Sequence, residues 1–181
     1  MIALVIGTNR PGAASAQVAA QVKEIYAAAG QDPQVLDLAD LPPEIFDPSS
    51  YATKPEAFNR FSDTVLASKG IVWVTPEYNG SLPGVAKYFI DMLPFPESFE
   101  HRPVTFIGVS AGMWGALRPI EQLEAIFKYR QGLVFAHRVH LMPIGNLLDD
   151  NGRLTDPKAV ERIEAQAKGF LEFVAQVKGG L

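Results

Sequence analysis

The feature that most constrains the fold is an alternation. Short continuous apolar runs at residues 2–6, 71–74 and 104–109 are each followed by a stretch in which apolar residues recur every three or four positions. A looser run spans 139–144 and a weaker one 35–38. Runs this short, apolar on both faces and rich in β-branched residues, suit strands buried in a parallel sheet. The stripes between them predict helices. Val18, Val22, Ile25 and Ala29 share one face, and Phe58, Phe61, Val65 and Leu66 another. Val85, Tyr88, Phe89 and Met92 follow, then Ile120, Leu123, Ile126 and Phe127. The clearest stripe is Val160, Ile163, Ala167, Phe170 and Val174. Five successive strand–helix units predict an α/β three-layer sandwich, with helices on both faces of a five-stranded parallel sheet. At 181 residues, 48% of them hydrophobic, the chain is expected to form one domain over 1–181.

Several functions are excluded early. There is no cysteine, so disulfides, thiolate metal sites and dithiol redox chemistry are absent. The net charge is -4 with no basic block, which argues against nucleic acid or an anionic membrane as partner. No apolar run reaches a membrane span, and the N-terminus lacks the basic region of a signal peptide. A cytoplasmic protein is expected. His137 and His140 stand three apart in a strand-like run and so cannot share a metal, and His101 falls in a loop; no metal site is expected.

Three glycine-bearing loops directly follow the strong runs: residues 7–15, 75–84 and 110–115. With strand order 2-1-3-4-5 these loops converge on one crevice beyond the carboxyl ends of central strands, where open parallel sheets bind ligands. The first, Gly7-Thr8-Asn9-Arg10-Pro11-Gly12-Ala13-Ala14-Ser15, opens a helix and offers a phosphate cradle of backbone N–H groups beside an arginine. It is neither a Walker A loop nor a G-x-G-x-x-G loop. An ordinary strand–helix turn with Ser15 as N-cap is the plainer reading. The second loop carries Thr75-Pro76-Glu77-Tyr78-Asn79-Gly80-Ser81-Leu82-Pro83-Gly84, with a flat face at Tyr78 and polar edges at Asn79 and Ser81. Glu77 is read as solvated or capping in preference to a general base.

The third loop contains Gly108-Val109-Ser110-Ala111-Gly112, which matches the G-x-S-x-G nucleophile elbow. A hydrolase then needs an acid and a histidine further along. Glu121 and Glu124 lie on a helix pattern, and Asp149 and Asp156 follow the last histidine. The order fails, so Ser110 is not expected to be a nucleophile. The long stretches 39–54 and 94–103 read as lids, contact surfaces or disorder.

Together the loops resemble those of the NADPH-dependent FMN reductase family, flavodoxin-like proteins that include quinone, azo-dye and chromate reductases. Gly7-Thr8-Asn9-Arg10 resembles its phosphate loop. Residues 76–84, continuing through Lys87 to Asp91, resemble its most distinctive motif, and Ser110-Ala111-Gly112 with Gly115 and Arg118 its third. Residues 150–156 resemble the stretch before its last helix. The resemblance implies FMN as cofactor, NADPH or NADH as co-substrate, a small acceptor such as a quinone, azo compound, free flavin or metal oxyanion, and a homodimer or dimer of dimers. It implies that Thr8, Arg10 and Ser15 hold phosphate. Pro76, Glu77, Tyr78, Asn79, Gly80 and Ser81 wrap the flavin ring, and Ser110, Ala111, Gly112 and Gly115 offer N–H groups to its polar edge. Trp114 either borders the ring or is a core residue; Lys87, Tyr88 and Asp91 lie near the dimer contact, to which Phe89, Phe95 and Phe99 also contribute unless, like most helix-stripe aromatics, they belong to the core. No side chain is assigned a catalytic role, because the flavin carries the chemistry. One departure is that Ala13 and Ala14 stand where the family usually has a hydroxyl or amide side chain. That keeps open a degenerate binding or regulatory protein with weak or no FMN binding. A single-electron carrier of the flavodoxin kind would carry a more acidic chain and a phosphate loop rich in Ser, Thr and Gly.

Overall fold

The computed structural model describes residues 1–179, so the last two positions of the expected 1–181 domain lie outside it. Strands β1 (Ala3–Ile6), β2 (Gln34–Asp37), β3 (Ile71–Pro76) and β4 (Pro103–Val109) form a parallel sheet in the order β2-β1-β3-β4. Every side chain of β1, β3 and β4 is buried. That is why these segments read as unbroken apolar runs: both faces are covered by helices.

Helices α1 (Ala14–Ala28) and α5 (Pro157–Gly179) pack on one face against Leu4, Val72, Val74, Ile107 and Val109. Helices α2 (Asn59–Ala67), α3 (Gly84–Met92) and α4 (Leu117–Tyr129) cover Val5, Trp73, Val104 and Phe106 on the other. Alternate residues of one strand thus serve two cores. The predicted order is present, and the architecture is the flavodoxin-like three-layer sandwich.

The fifth position differs from the expectation of one strand over 139–144. It is shared by β5 (Leu133–Val134), paired with Pro103 and Val104, and β6 (Val139–Leu141), paired with Ile107 to Val109. The sheet therefore has six strands. Across the break the buried Gln166 amide on α5 ties β4 to the connecting segment, donating to Phe106 O at 3.0 Å and to His137 O at 2.7 Å.

The two long stretches are ordered, which sets the disorder reading aside for both. The stretch 39–54 is built of 3₁₀ turns (Leu38–Asp40, Pro43–Phe46, Pro48–Tyr51) anchored by buried Leu41, Ile45 and Ser50. Phe89 and Phe99 belong to the core and cannot meet another chain, whereas Phe95 is 63% exposed. The Arg130 guanidinium lies over the rings of both Phe95 and Phe99 and donates to Ile90 O and Pro94 O, which fixes the 94–103 segment.

Candidate functional site

Beyond the carboxyl ends of β1, β3 and β4, the three loops enclose a crevice of about 340 Å³. The first loop leaves β1 at Gly7, whose N–H donates to Val74 O at 2.8 Å. A Cβ on Gly7 would stand 2.5 Å from Trp73 Nε1, so only glycine lets the chain cross this indole. Thr8 is buried, and its Oγ1 lies 2.9 Å from the Tyr78 hydroxyl while accepting the Arg10 N–H at 3.2 Å. Thr8 therefore braces the loop and does not line the crevice.

Arg10, Ala13, Ala14 and Ser15 do line it. Arg10 is exposed. Helix α1 starts from Ala13, which offers no side-chain cap, so Ser15 sits in the first turn and is not the N-cap. A helix start without a cap leaves its first amides open to a ligand. The Ser15 hydroxyl is 1% exposed and has no hydrogen-bond partner. A buried hydroxyl left unpaired on the wall of a crevice marks the place of a missing acceptor or donor.

In the second loop Tyr78 and Ser81 exchange two backbone hydrogen bonds of 3.0 Å around Asn79 and Gly80. Both turn residues have positive φ, 52° and 74°, as in a type I′ hairpin. Pro76, Glu77 and Tyr78 form crevice wall, whereas Asn79, Gly80 and Ser81 stand outside it. The Glu77 carboxylate, 14% exposed, pairs with Arg118 at 3.2 Å. The Ser81 hydroxyl donates to Gln122 Oε1 at 2.9 Å, and Leu82 N–H donates to the same atom. This loop is thus bolted to α4.

The third loop is held from behind. Ser110 N–H donates to Leu141 O and Ser110 O accepts from Ile144 N–H, while Ser110 Oγ donates to Gly112 O at 2.7 Å. No histidine hydrogen-bonds that hydroxyl, so the elbow motif lacks its base. The Ser110 N–H is also spent within the protein. Ser110 and Ala111 line the crevice; Gly112 is exposed beside it, and Gly115 is buried beneath. Gly115 has φ +56°, and a Cβ there would stand 2.6 Å from Met142 Sδ and 2.7 Å from His140 Cβ. His140 Nδ1 donates to Gly115 O at 2.8 Å.

Sequence reasoning passed over His140 and Gln122 as supports, and Val109 and Ile144 as crevice wall. The Gly108↔His140 register is the only signal that could have drawn His140 in, and it requires β6 to be placed first.

The model of the NADPH-dependent FMN reductase family matches residues 1–146. An NAD(P)H-dependent FMN reductase from Pseudomonas aeruginosa is 31% identical over 160 residues, covering 83% of this chain and 82% of that protein. A quinone reductase from Escherichia coli is 27% identical over 182 residues, covering 98% and 96%. The structure of FerB, a flavoenzyme NAD(P)H:(acceptor) oxidoreductase from Paracoccus denitrificans, superposes with a TM-score of 0.82 at 22% identity, covering 97% of both chains. The sheet order, the three converging loops and these matches agree, and the chain belongs to the NADPH-dependent FMN reductase family.

Proposed function

We propose that the chain is an FMN-dependent NAD(P)H oxidoreductase that delivers electrons to a small acceptor such as a quinone. The observation that carries this reading is the orphaned, buried Ser15 hydroxyl in the wall of the crevice at the start of α1. A phosphate there would accept from Ser15 Oγ and from the uncapped first-turn N–H groups, with Arg10 supplying positive charge. The residues present therefore fit FMN, which, when bound, takes up hydride from NAD(P)H and passes the electrons on.

The remaining roles follow from position. Pro76 and Tyr78 supply apolar wall for the flavin ring. Ala111 and Gly112 are placed to offer backbone N–H groups to the polar edge of the ring, a task the Ser110 N–H cannot share because Leu141 O already takes it. Such donors stabilise negative charge on the reduced ring. Glu77 is neutralised by Arg118 and takes no part as a base. Ala13 and Ala14 remove side-chain donors that the family usually has, so phosphate affinity rests on fewer groups.

The reading includes a homodimer. Phe46 and Tyr51, 47% and 61% exposed, flank Tyr88 with ring centroids 5.0 and 6.1 Å away, and Tyr88 donates to Ile45 O. The Lys87–Asp91 ion pair lies one face along on α3. An exposed aromatic patch of this kind suits an interface between copies. No helix among the described residues is long and apolar enough to cross a membrane, and we place the activity in the cytoplasm.

The test is an FMN titration of purified protein followed by NADPH oxidation with and without 1,4-benzoquinone. Saturable FMN binding and quinone-dependent oxidation are expected. No binding at saturating FMN overturns the enzyme reading and leaves a flavodoxin-like binding protein.

A further inference from the structure

Trp114 stands on the third loop, three residues beyond the crevice wall at Ala111, and is 54% exposed; its neighbour Met113 is 74% exposed. A tryptophan left in water needs a reason, and the surrounding contacts supply one. The Arg118 guanidinium lies 5.7 Å from the indole centroid. The same guanidinium pairs with Glu77, which is crevice wall, and its Cδ would lie 3.8 Å from a Cβ on Gly80. Arg118 thus supports the indole from one side and is itself held by the second loop. The result is a chain of contacts, Trp114 to Arg118 to Glu77, that ties the indole to the crevice wall. Left-handed backbone at Gly115 and Ala116, anchored by the His140 bond to Gly115 O, fixes the loop that presents the ring.

Resting on the oxidoreductase reading, the geometry points to Trp114 as a specificity-determining residue that stacks an aromatic, electron-poor acceptor at the crevice mouth. An indole held from one side by Arg118 leaves its other flat face to stack on a quinone ring, while a compact inorganic acceptor gains nothing from it. The exchange it serves balances as NAD(P)H, one quinone and one proton giving NAD(P)⁺ and one hydroquinone. Trp114 takes no part in proton or electron transfer and acts only by holding the acceptor in place.

The test compares wild type with Trp114→Phe and Trp114→Ala, all FMN-loaded, using 1,4-benzoquinone and ferricyanide as acceptors. Trp114→Ala is expected to raise the KM for the quinone about three- to tenfold, the range of an aromatic stacking contact. Trp114→Phe should restore most of it, and ferricyanide kinetics should be unchanged. A second readout needs no turnover. The chain has two tryptophans, and Trp73 is fully buried. Adding quinone to the oxidised, NADPH-free protein should therefore quench a fluorescence component that Trp114→Phe lacks. Equal changes with both acceptors, or an unchanged quinone KM, overturn the assignment. A weakened FMN dissociation constant in Trp114→Ala would also overturn it, because the ring would then border the flavin. Failure of wild type to bind FMN is a different result and defeats the oxidoreductase reading instead.

Discussion

Thr8 Oγ1 and the Tyr78 hydroxyl lie 2.9 Å apart, across 70 residues of sequence, and join the loop after β1 to the loop after β3. The bond turns two separate turns into one wall. It also holds the Tyr78 ring upright at the crevice, since the phenol is anchored at its far end.

Removing it tests that coupling. Tyr78→Phe keeps the ring and loses the bond, and should cost about 0.5–1.5 kcal/mol of stability. Thr8→Val should cost a similar amount, and the double variant little more than either alone. Urea midpoints of the four proteins measure the coupling; strictly additive losses would show that the bond does not form in solution.

Ser15→Ala should separate stability from affinity. The hydroxyl is buried without a partner, and such a group costs about 1–3 kcal/mol. Its removal should leave the FMN-free chain as stable or more stable. FMN binding should weaken roughly ten- to a hundredfold, the worth of one hydrogen bond to a charged group. Ala13→Ser runs the other way. It adds an N-cap worth about 0.5–2 kcal/mol and a donor beside the phosphate. Thermal melts without flavin, paired with fluorescence titrations of FMN, decide both; an FMN affinity indifferent to both changes would place the phosphate elsewhere.

Gly115→Ala should damage the third loop. Positive φ costs an alanine about 1–2 kcal/mol, before the clash with Met142 Sδ and His140 Cβ is counted. The expected total is about 2 kcal/mol or more. Met142→Ala in the same chain should recover part of the steric share and none of the backbone share. Denaturant melts of the single and double variants give the two parts.

The aromatic patch formed by Phe46 and Tyr51 around Tyr88 of α3 makes a prediction about mass. Wild type at micromolar concentration should scatter light as a dimer, and Phe46→Ser with Tyr51→Ser should shift it toward monomer without lowering its melting temperature much, because both rings are surface rings. A wild-type monomer would remove the dimer from the reading.

What the sequence made legible follows from burial. β1, β3 and β4 are covered on both faces, so their apolar runs stand out and their boundaries fall within a residue or two of the reading. At the edge, β6 falls inside the 139–144 run, whereas β5 was illegible because it is two residues long and half-buried, too short to carry a period. The same contrast holds at the site. The three loops converge on one crevice, yet the Thr8 and Ser81 hydroxyls bond Tyr78 and Gln122 and do not line it. A hydroxyl's partner depends on which element packs behind it, and a motif does not encode that. His140 looked inert for the same reason: its role is a bond to a carbonyl 25 residues away.

The split fifth strand has a consequence for how molecules of this protein can meet. An intact outer strand is a template on which a second chain can lay its own strand. Here that border is two short pieces of two and three residues, offset at residues 135–138 and plugged by a side-chain amide. At the opposite border β2 is four residues long and ends on Asp37, whose carboxylate turns back onto Ala39 N–H. Neither border offers a long run of free amides and carbonyls in line. The ladder is closed to growth at both ends, which leaves encounters between copies to the helix surfaces.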